Sequence, residues 1–188
     1  MFFESMHPTW RTWLAELEPE LRRLEEVTAG SVPPKEIVMR AFETDPTKTR
    51  VVLLGQDPYP TLGVADGIAF SCSKSEKEQP SLRFILDEVE KLYPEGYKRP
   101  LDLSKWSRQG ILMLNTALTV YSGLSNSHSD DWAPFTEWVF DKIFVSWQKK
   151  LLNQHTKLIP LKRDCTPQSV TLSIPHKRVE LFGMILKS

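Results

Sequence analysis

Two cysteines in 188 residues rule out a disulfide-built scaffold. Cys72 and Cys165 make at most one bridge; reduced thiols in a cytoplasmic protein are the expected state, and neither sits in metal-ligand spacing. Long apolar runs are missing too. Nothing approaches the roughly 20 residues that a membrane span needs, and the start, "MFFESMHPTW", lacks the basic head and apolar block of a secretory signal. Repeats and low-complexity linkers are absent. What remains is the profile of a water-soluble globular chain, 40% hydrophobic and 26% charged, of a length suited to one domain over residues 1–188.

The net charge is zero, with 24 basic and 24 acidic residues, but the two signs are unevenly spread. Residues 1–148 hold 16 Lys/Arg against 22 Asp/Glu, and residues 149–188 hold 8 against 2. The first part is therefore at −6 and the second at +6. A basic tail on an acidic body fits contact with nucleic acid. It equally fits a segment that obeys different sequence rules from the rest.

Apolar periodicity predicts a helix over "WRTWLAELEPELRRLEEV", carried by Trp10, Trp13, Leu14, Leu17, Leu21 and Leu24 despite Pro19. A second helix is expected in "SVPPKEIVMRAF", with Pro34 near its first turn and Ile37, Val38 and Phe42 facing inward. "RVVLL" and "GILMLNTALTV" read as buried strands of the parallel type. "PSLRFILDEVEKLY", with Leu82, Ile85, Leu86 and Val89 as its stripe, and "WAPFTEWVFDKIFVSW" read as amphipathic helices. The alternation predicts an α/β fold, a three-layer α/β/α sandwich around a short parallel sheet.

Ligands of such sheets bind beyond the carboxyl ends of the strands. Two polar interruptions fall there: "GQDPY", directly after Val51–Leu54, and Asn115 inside "GILMLNTAL". Alone, Asn115 reads as a strand-end amide bonded to backbone, and Asp57 as a turn former before Pro58. At two strand ends facing one cleft they form a candidate site. Gly55 lets backbone approach a ligand, Asp57 supplies a carboxylate, Gln56 an amide and Tyr59 a bulky rim.

These residues resemble the uracil-DNA glycosylase family in its main branch. The blocks "GQDPYP", "GVADGIAFS", "QPSLRFI", "LDLSKWSRQGILMLNTALTV" and "SNSHSDDWAPFT" occur in the family's order, over roughly residues 34–140. The resemblance implies a monomeric DNA-repair hydrolase acting on uracil-containing DNA, with no cofactor, no metal and no membrane. A base enters such a pocket only after leaving the stack. Asp57 is then expected to orient the attacking water and to offset the cationic sugar. Asn115 is expected to pair with uracil N3–H and O4, because an amide donates and accepts together. Tyr59 fills the space beside C5 and so rejects thymine by its methyl group. Phe70 is expected to stack on the base, and Gln56 to add polarity beside it. Pro80 and Ser81 stand where the family pinches the DNA backbone, Ser81 serving equally as a helix N-cap. His128 is expected to be structural, and Pro60 replaces a His that many relatives carry after the Tyr.

Past about Trp147 the family's motifs stop, and residues 148–188 are expected to be a divergent or frame-displaced tail. A His-Pro-Ser-Pro-Leu loop, source of a second catalytic residue, is not found; His176 in "SIPHKR" is the weak candidate for it. Codons for Leu181 to Leu186, read from each third base, can spell Phe-Trp-Asn-Asp-Pro, which is the ground for the frame reading. The last strands of the sheet are accordingly expected to be lost or altered, with "KLIPL" and "SVTLSI" as substitutes. A DNA-binding remnant without catalysis, or a defective gene product, is the alternative.

Overall fold

The computed structural model describes residues 1–93, 95–155, 168–174 and 177–183. Its helices are α1 (Phe2–Ser5), α2 (Pro8–Trp13), α3 (Glu18–Val27), α4 (Pro80–Glu90), α5 (Ser104–Arg108) and α6 (Ser129–His155). Its strands are β1 (Val51–Gly55), β2 (Ile111–Asn115), β3 (Gln168–Ile174) and β4 (Lys177–Gly183).

The long N-terminal helix expected from periodicity is broken. A 3₁₀ turn, Ala15–Leu17, separates α2 from α3, and Pro19 stands in the first turn of α3 instead of interrupting it. Proline fits there because that turn has no intrahelical use for its N–H. Glu18 and Glu20 in the same turn suit the positive end of the helix dipole. The second expected helix is also corrected. "SVPPKEIVMRAF" forms two 3₁₀ turns, Lys35–Ile37 and Arg40–Phe42, rather than one α-helix. Val38 and Phe42 are buried as expected, so the apolar positions hold while the backbone between them does not stay helical.

β1 and β2 pair in parallel, from Val51 opposite Ile111 to Gly55 opposite Asn115. On its other edge β1 pairs antiparallel with β4, and β4 with β3, giving the order β2-β1-β4-β3. "SVTLSI" thus falls in β3, while "KLIPL" lies outside the described residues.

Alternation along the two parallel strands feeds two cores. Val52, Leu112 and Leu114 face one side, where they meet Trp10, Leu14, Leu24, Phe42, Trp132 and Phe135. Leu53 and Met113 face the other, against Ile68, Phe70, Leu82, Leu86 and Leu103. Side chains at successive strand positions point to opposite faces, so a sheet with a core on each face is the middle of three layers. The first core is dense in rings: Trp10 meets Phe42 edge-on at 5.0 Å, and Phe42 meets Phe135 at 5.7 Å. α6 is tied to both ends of the strands. Trp147 Nε1 donates to the Thr49 carbonyl at 3.0 Å, just before β1, and Thr136 Oγ1 to the Thr116 carbonyl at 3.0 Å, just after β2. The carboxyl ends of β1 and β2 are therefore fixed side by side.

Candidate active site

The two strands end at the same height, which puts Gly55 beside Asn115. A Cβ on Gly55 would collide with Asn115 Oδ1 and stand 3.3 Å from Phe70 Cζ, so only glycine leaves the amide its place. Beyond the strand ends the chains cross-link: Thr116 N donates to the Gly55 carbonyl (2.9 Å), while Ala117 N (3.0 Å) and Thr116 Oγ1 (2.7 Å) donate to that of Gln56. These bonds hold "GQD" against "NTA".

Around this junction lies a narrow pocket open to solvent. Gln56, Asp57, Tyr59, Phe70, Ser81 and Asn115 all line it. Pro80 does not; it is exposed in the first turn of α4. Ser81 is not the N-cap of α4, as one expectation had it. Gln79 holds that position, and Ser81 is inside the helix and buried. His176 lies outside the described residues. No histidine lines the pocket among the described residues.

Asp57 is buried, and its Oδ2 accepts the backbone N–H of Asn126 at 2.7 Å. Asn126 has a left-handed backbone (φ 65°), which turns that N–H inward, and its Oδ1 faces Gln56 Nε2 at 3.4 Å. Asn126 was inside a recognised block, yet spacing alone gave it no role, because its contribution is a main-chain donor. Tyr59 donates its hydroxyl to the Phe70 carbonyl at 3.1 Å, and burial pushes its phenol well above its ordinary pKa. The phenol is neutral at any physiological pH, and its ring fills one wall. Phe70 also lines the pocket, in a left-handed backbone (φ 66°), a conformation rare for a bulky residue and often retained at binding sites.

His128 is placed elsewhere. It is buried, its Nδ1 lies 2.9 Å from Thr119 Oγ1, and Tyr121 meets its ring edge-on at 4.4 Å. Trp132 Nε1 donates to the same hydroxyl at 2.7 Å, so His128 belongs to a core network under the loop that carries Asn126. Cys72 is a buried free thiol whose pKa burial raises, in keeping with an inert packing role. Cys165 is outside the described residues. No cluster of three His, Cys, Asp or Glu with the geometry to hold a metal occurs among the described residues.

A carboxylate, an amide and two aromatic side chains line one crevice at the carboxyl ends of adjacent parallel strands of an α/β protein. The chain belongs to the uracil DNA glycosylase superfamily, whose family model matches residues 42–161. That match runs past residue 140, further than the recognisable motifs. The chain is 39% identical over 145 residues to a uracil-DNA glycosylase of Idiomarina loihiensis, covering 71% of this chain and 67% of the relative. It is 40% identical over 164 residues to one of Lysinibacillus sphaericus, covering 81% and 70%. Among solved structures it is similar to the uracil-DNA glycosylase of mimivirus, with TM-score 0.64, 27% identity, and coverage of 73% of this chain and 56% of that one. The chain thus spans between about half and 70% of the length of these relatives.

Proposed function

We propose that the chain is a DNA-repair hydrolase that cleaves the N-glycosidic bond between uracil and deoxyribose, releasing free uracil and leaving an abasic site. The observation that carries this reading is the meeting of Asp57, Asn115, Tyr59 and Phe70 around one pocket in a chain of this superfamily.

A uracil buried in a duplex presents no reacting atom to a side chain, so the nucleotide is extruded and its base enters the pocket, with its face on Phe70 and its C5 edge toward Tyr59. Asn115 accepts N3–H with its carbonyl and donates its amide to O4. Cytosine has these two polarities reversed and is rejected. Tyr59 occupies the space that a C5 methyl group would need. As the bond between N1 and C1′ stretches, its electron pair leaves with the base, and positive charge gathers on the sugar. The buried Asp57 carboxylate faces that charge without having to reorganise, and it holds the water whose oxygen then bonds to C1′; the proton this water loses passes through solvent to the departing uracil anion, which leaves as neutral uracil. The Asn126 N–H fixes the direction in which this carboxylate points. Ser81, with Pro80 beside it at the start of α4, is the contact to DNA phosphate, a contact that positions without reading sequence. The reaction uses water alone as co-reactant and proceeds in a cytoplasmic monomer.

The test is release of free uracil from a uracil-containing oligonucleotide. Release supports the reading. Salt-sensitive binding without release would instead mark a DNA-binding relative without turnover.

A further inference from the structure

Phe70 holds its left-handed backbone in a stretch, residues 65–73, that has no regular secondary structure. Something must fix it, and the side chain in position to do so is Asp66, which is only 1% exposed. Its Oδ1 accepts Ile68 N at 3.3 Å; its Oδ2 accepts Ser71 Oγ at 2.7 Å and Ser73 N at 3.0 Å. One carboxylate therefore ties down the chain on both sides of residue 70. Arg40 holds that carboxylate in turn. Its Nη1 lies 3.3 Å from Asp66 Oδ2 and donates to the Asp66 carbonyl at 2.7 Å. The surrounding loop is pinned as well. Ala69 N donates to the Met113 carbonyl at 3.2 Å, Leu103 N to Ser71 Oγ at 3.1 Å, and Ala41 N to the Gly67 carbonyl at 3.2 Å. Gly67 has φ 86°, and a Cβ there would collide with the Ile37 carbonyl and stand 3.1 Å from Arg40 Cβ, so the loop sits directly on the end of one 3₁₀ turn and the start of the next.

We infer that Asp66, held by Arg40, is a positioning residue for uracil: it sets the Phe70 ring at the stacking distance of the pocket wall. The inference rests on the proposed function for the identity of the ligand and on the bonding pattern for the brace itself. Only a carboxylate suits this place. It accepts at both oxygens and meets four donor groups at once, whereas an amide would turn an NH₂ toward one of them. Arg40 and Asp66 touch no substrate; they act through Phe70.

Two variants, Asp66→Asn and Arg40→Met, are to be made alone and in a Phe70→Ala background. Three quantities are then measured: free-uracil affinity, thermal midpoint, and amide exchange resolved over residues 68–73, β1 and β2. Asp66→Asn is expected to weaken uracil binding on the order of tenfold, the scale of one lost base–aromatic stack. It should raise exchange at residues 68–73 more than in β1 and β2. In Phe70→Ala it should add little to the affinity loss while still lowering the thermal midpoint. Arg40→Met, in which Asp66 keeps its other three donors, should follow the same order with smaller values, and it carries the test if Asp66→Asn does not fold. An affinity loss that persists in full without Phe70 overturns the inference. So does an exchange increase spread evenly over both strands. Wild-type protein that binds no uracil while Asp66→Asn still frees residues 68–73 refutes the ligand assignment and supports the brace.

Discussion

Gly55→Ala is a one-methyl perturbation whose consequence can be worked out from position. The backbone at Gly55 is not in the left-handed region, so alanine fits its dihedrals. On conformational entropy alone the change should stabilise β1 by roughly 0.5–1 kcal/mol. The added Cβ, however, lands on Asn115 Oδ1 and stands 3.3 Å from Phe70 Cζ. The flexible partner is the amide, which must rotate away. Two hydrogen bonds to the uracil edge are then lost, each worth about 0.5–1.5 kcal/mol net. Together they amount to about 1–3 kcal/mol, a fall of roughly 5- to 150-fold in kcat/KM at 1.4 kcal/mol per decade. The assay is release of uracil from a single-stranded oligonucleotide, with the thermal midpoint measured alongside. Activity should drop while the midpoint stays level or rises. Asn115→Ala should lose a similar amount, and the double variant should be no worse than either single one. Excision within twofold of wild type, at an unchanged midpoint, would refute the placement of Asn115 at the base edge.

Tyr59→Ala should open the wall beside C5 and give measurable thymine release, read by product chromatography, where the parent protein gives none. Thr119→Val is nearly isosteric but leaves Trp132 Nε1 and His128 Nδ1 without their shared hydroxyl. At about 1–3 kcal/mol for each of the two buried polar groups left unpaired, the thermal midpoint should fall by roughly 4–24 °C, with uracil affinity little changed. Arg99 Nε and Nη2 bind both oxygens of Glu78, at 2.7 and 2.9 Å, and hold that carboxyl below its usual pKa. A depressed acid stabilises the fold above its unfolded pKa, and this contribution is lost as pH falls through the folded value. Glu78→Gln should therefore lower the midpoint at neutral and alkaline pH, leave it little changed at the acid end, and so flatten the acid limb of the midpoint-against-pH curve.

The parts of the fold legible in the sequence were those where local pattern and tertiary need agree. "RVVLL" and "GILMLNTALTV" read as buried strands; the first falls in β1, but only Ile111–Asn115 of the second is strand, because the chain after Asn115 turns to bond with Gly55 and Gln56. The stripe of Leu82, Ile85 and Leu86 gave α4 at nearly its true length. The break at Ala15–Leu17 was hidden because Trp10, Leu14, Leu21 and Leu24 keep helical spacing across it while the backbone tightens. In "VPPKEIVMRAF" the buried positions were readable but the 3₁₀ geometry was not, since Val38 and Phe42 are four apart in either case. Asp57, Asn115, Tyr59 and Phe70, which line one pocket, were legible because the roles proposed for them lie in their side chains. Asn126 and Asp66 were missed because one acts through a backbone N–H and the other through contacts with Arg40, 26 residues away in sequence.

The most direct test compares single-turnover release of free uracil by the wild-type chain and by Asp57→Asn, with DNA binding measured in parallel. The expected result is release by wild type, slowed on the order of 10²–10³ in Asp57→Asn with binding retained. Equal rates in the two proteins, or no release by wild type, would contradict uracil excision through Asp57.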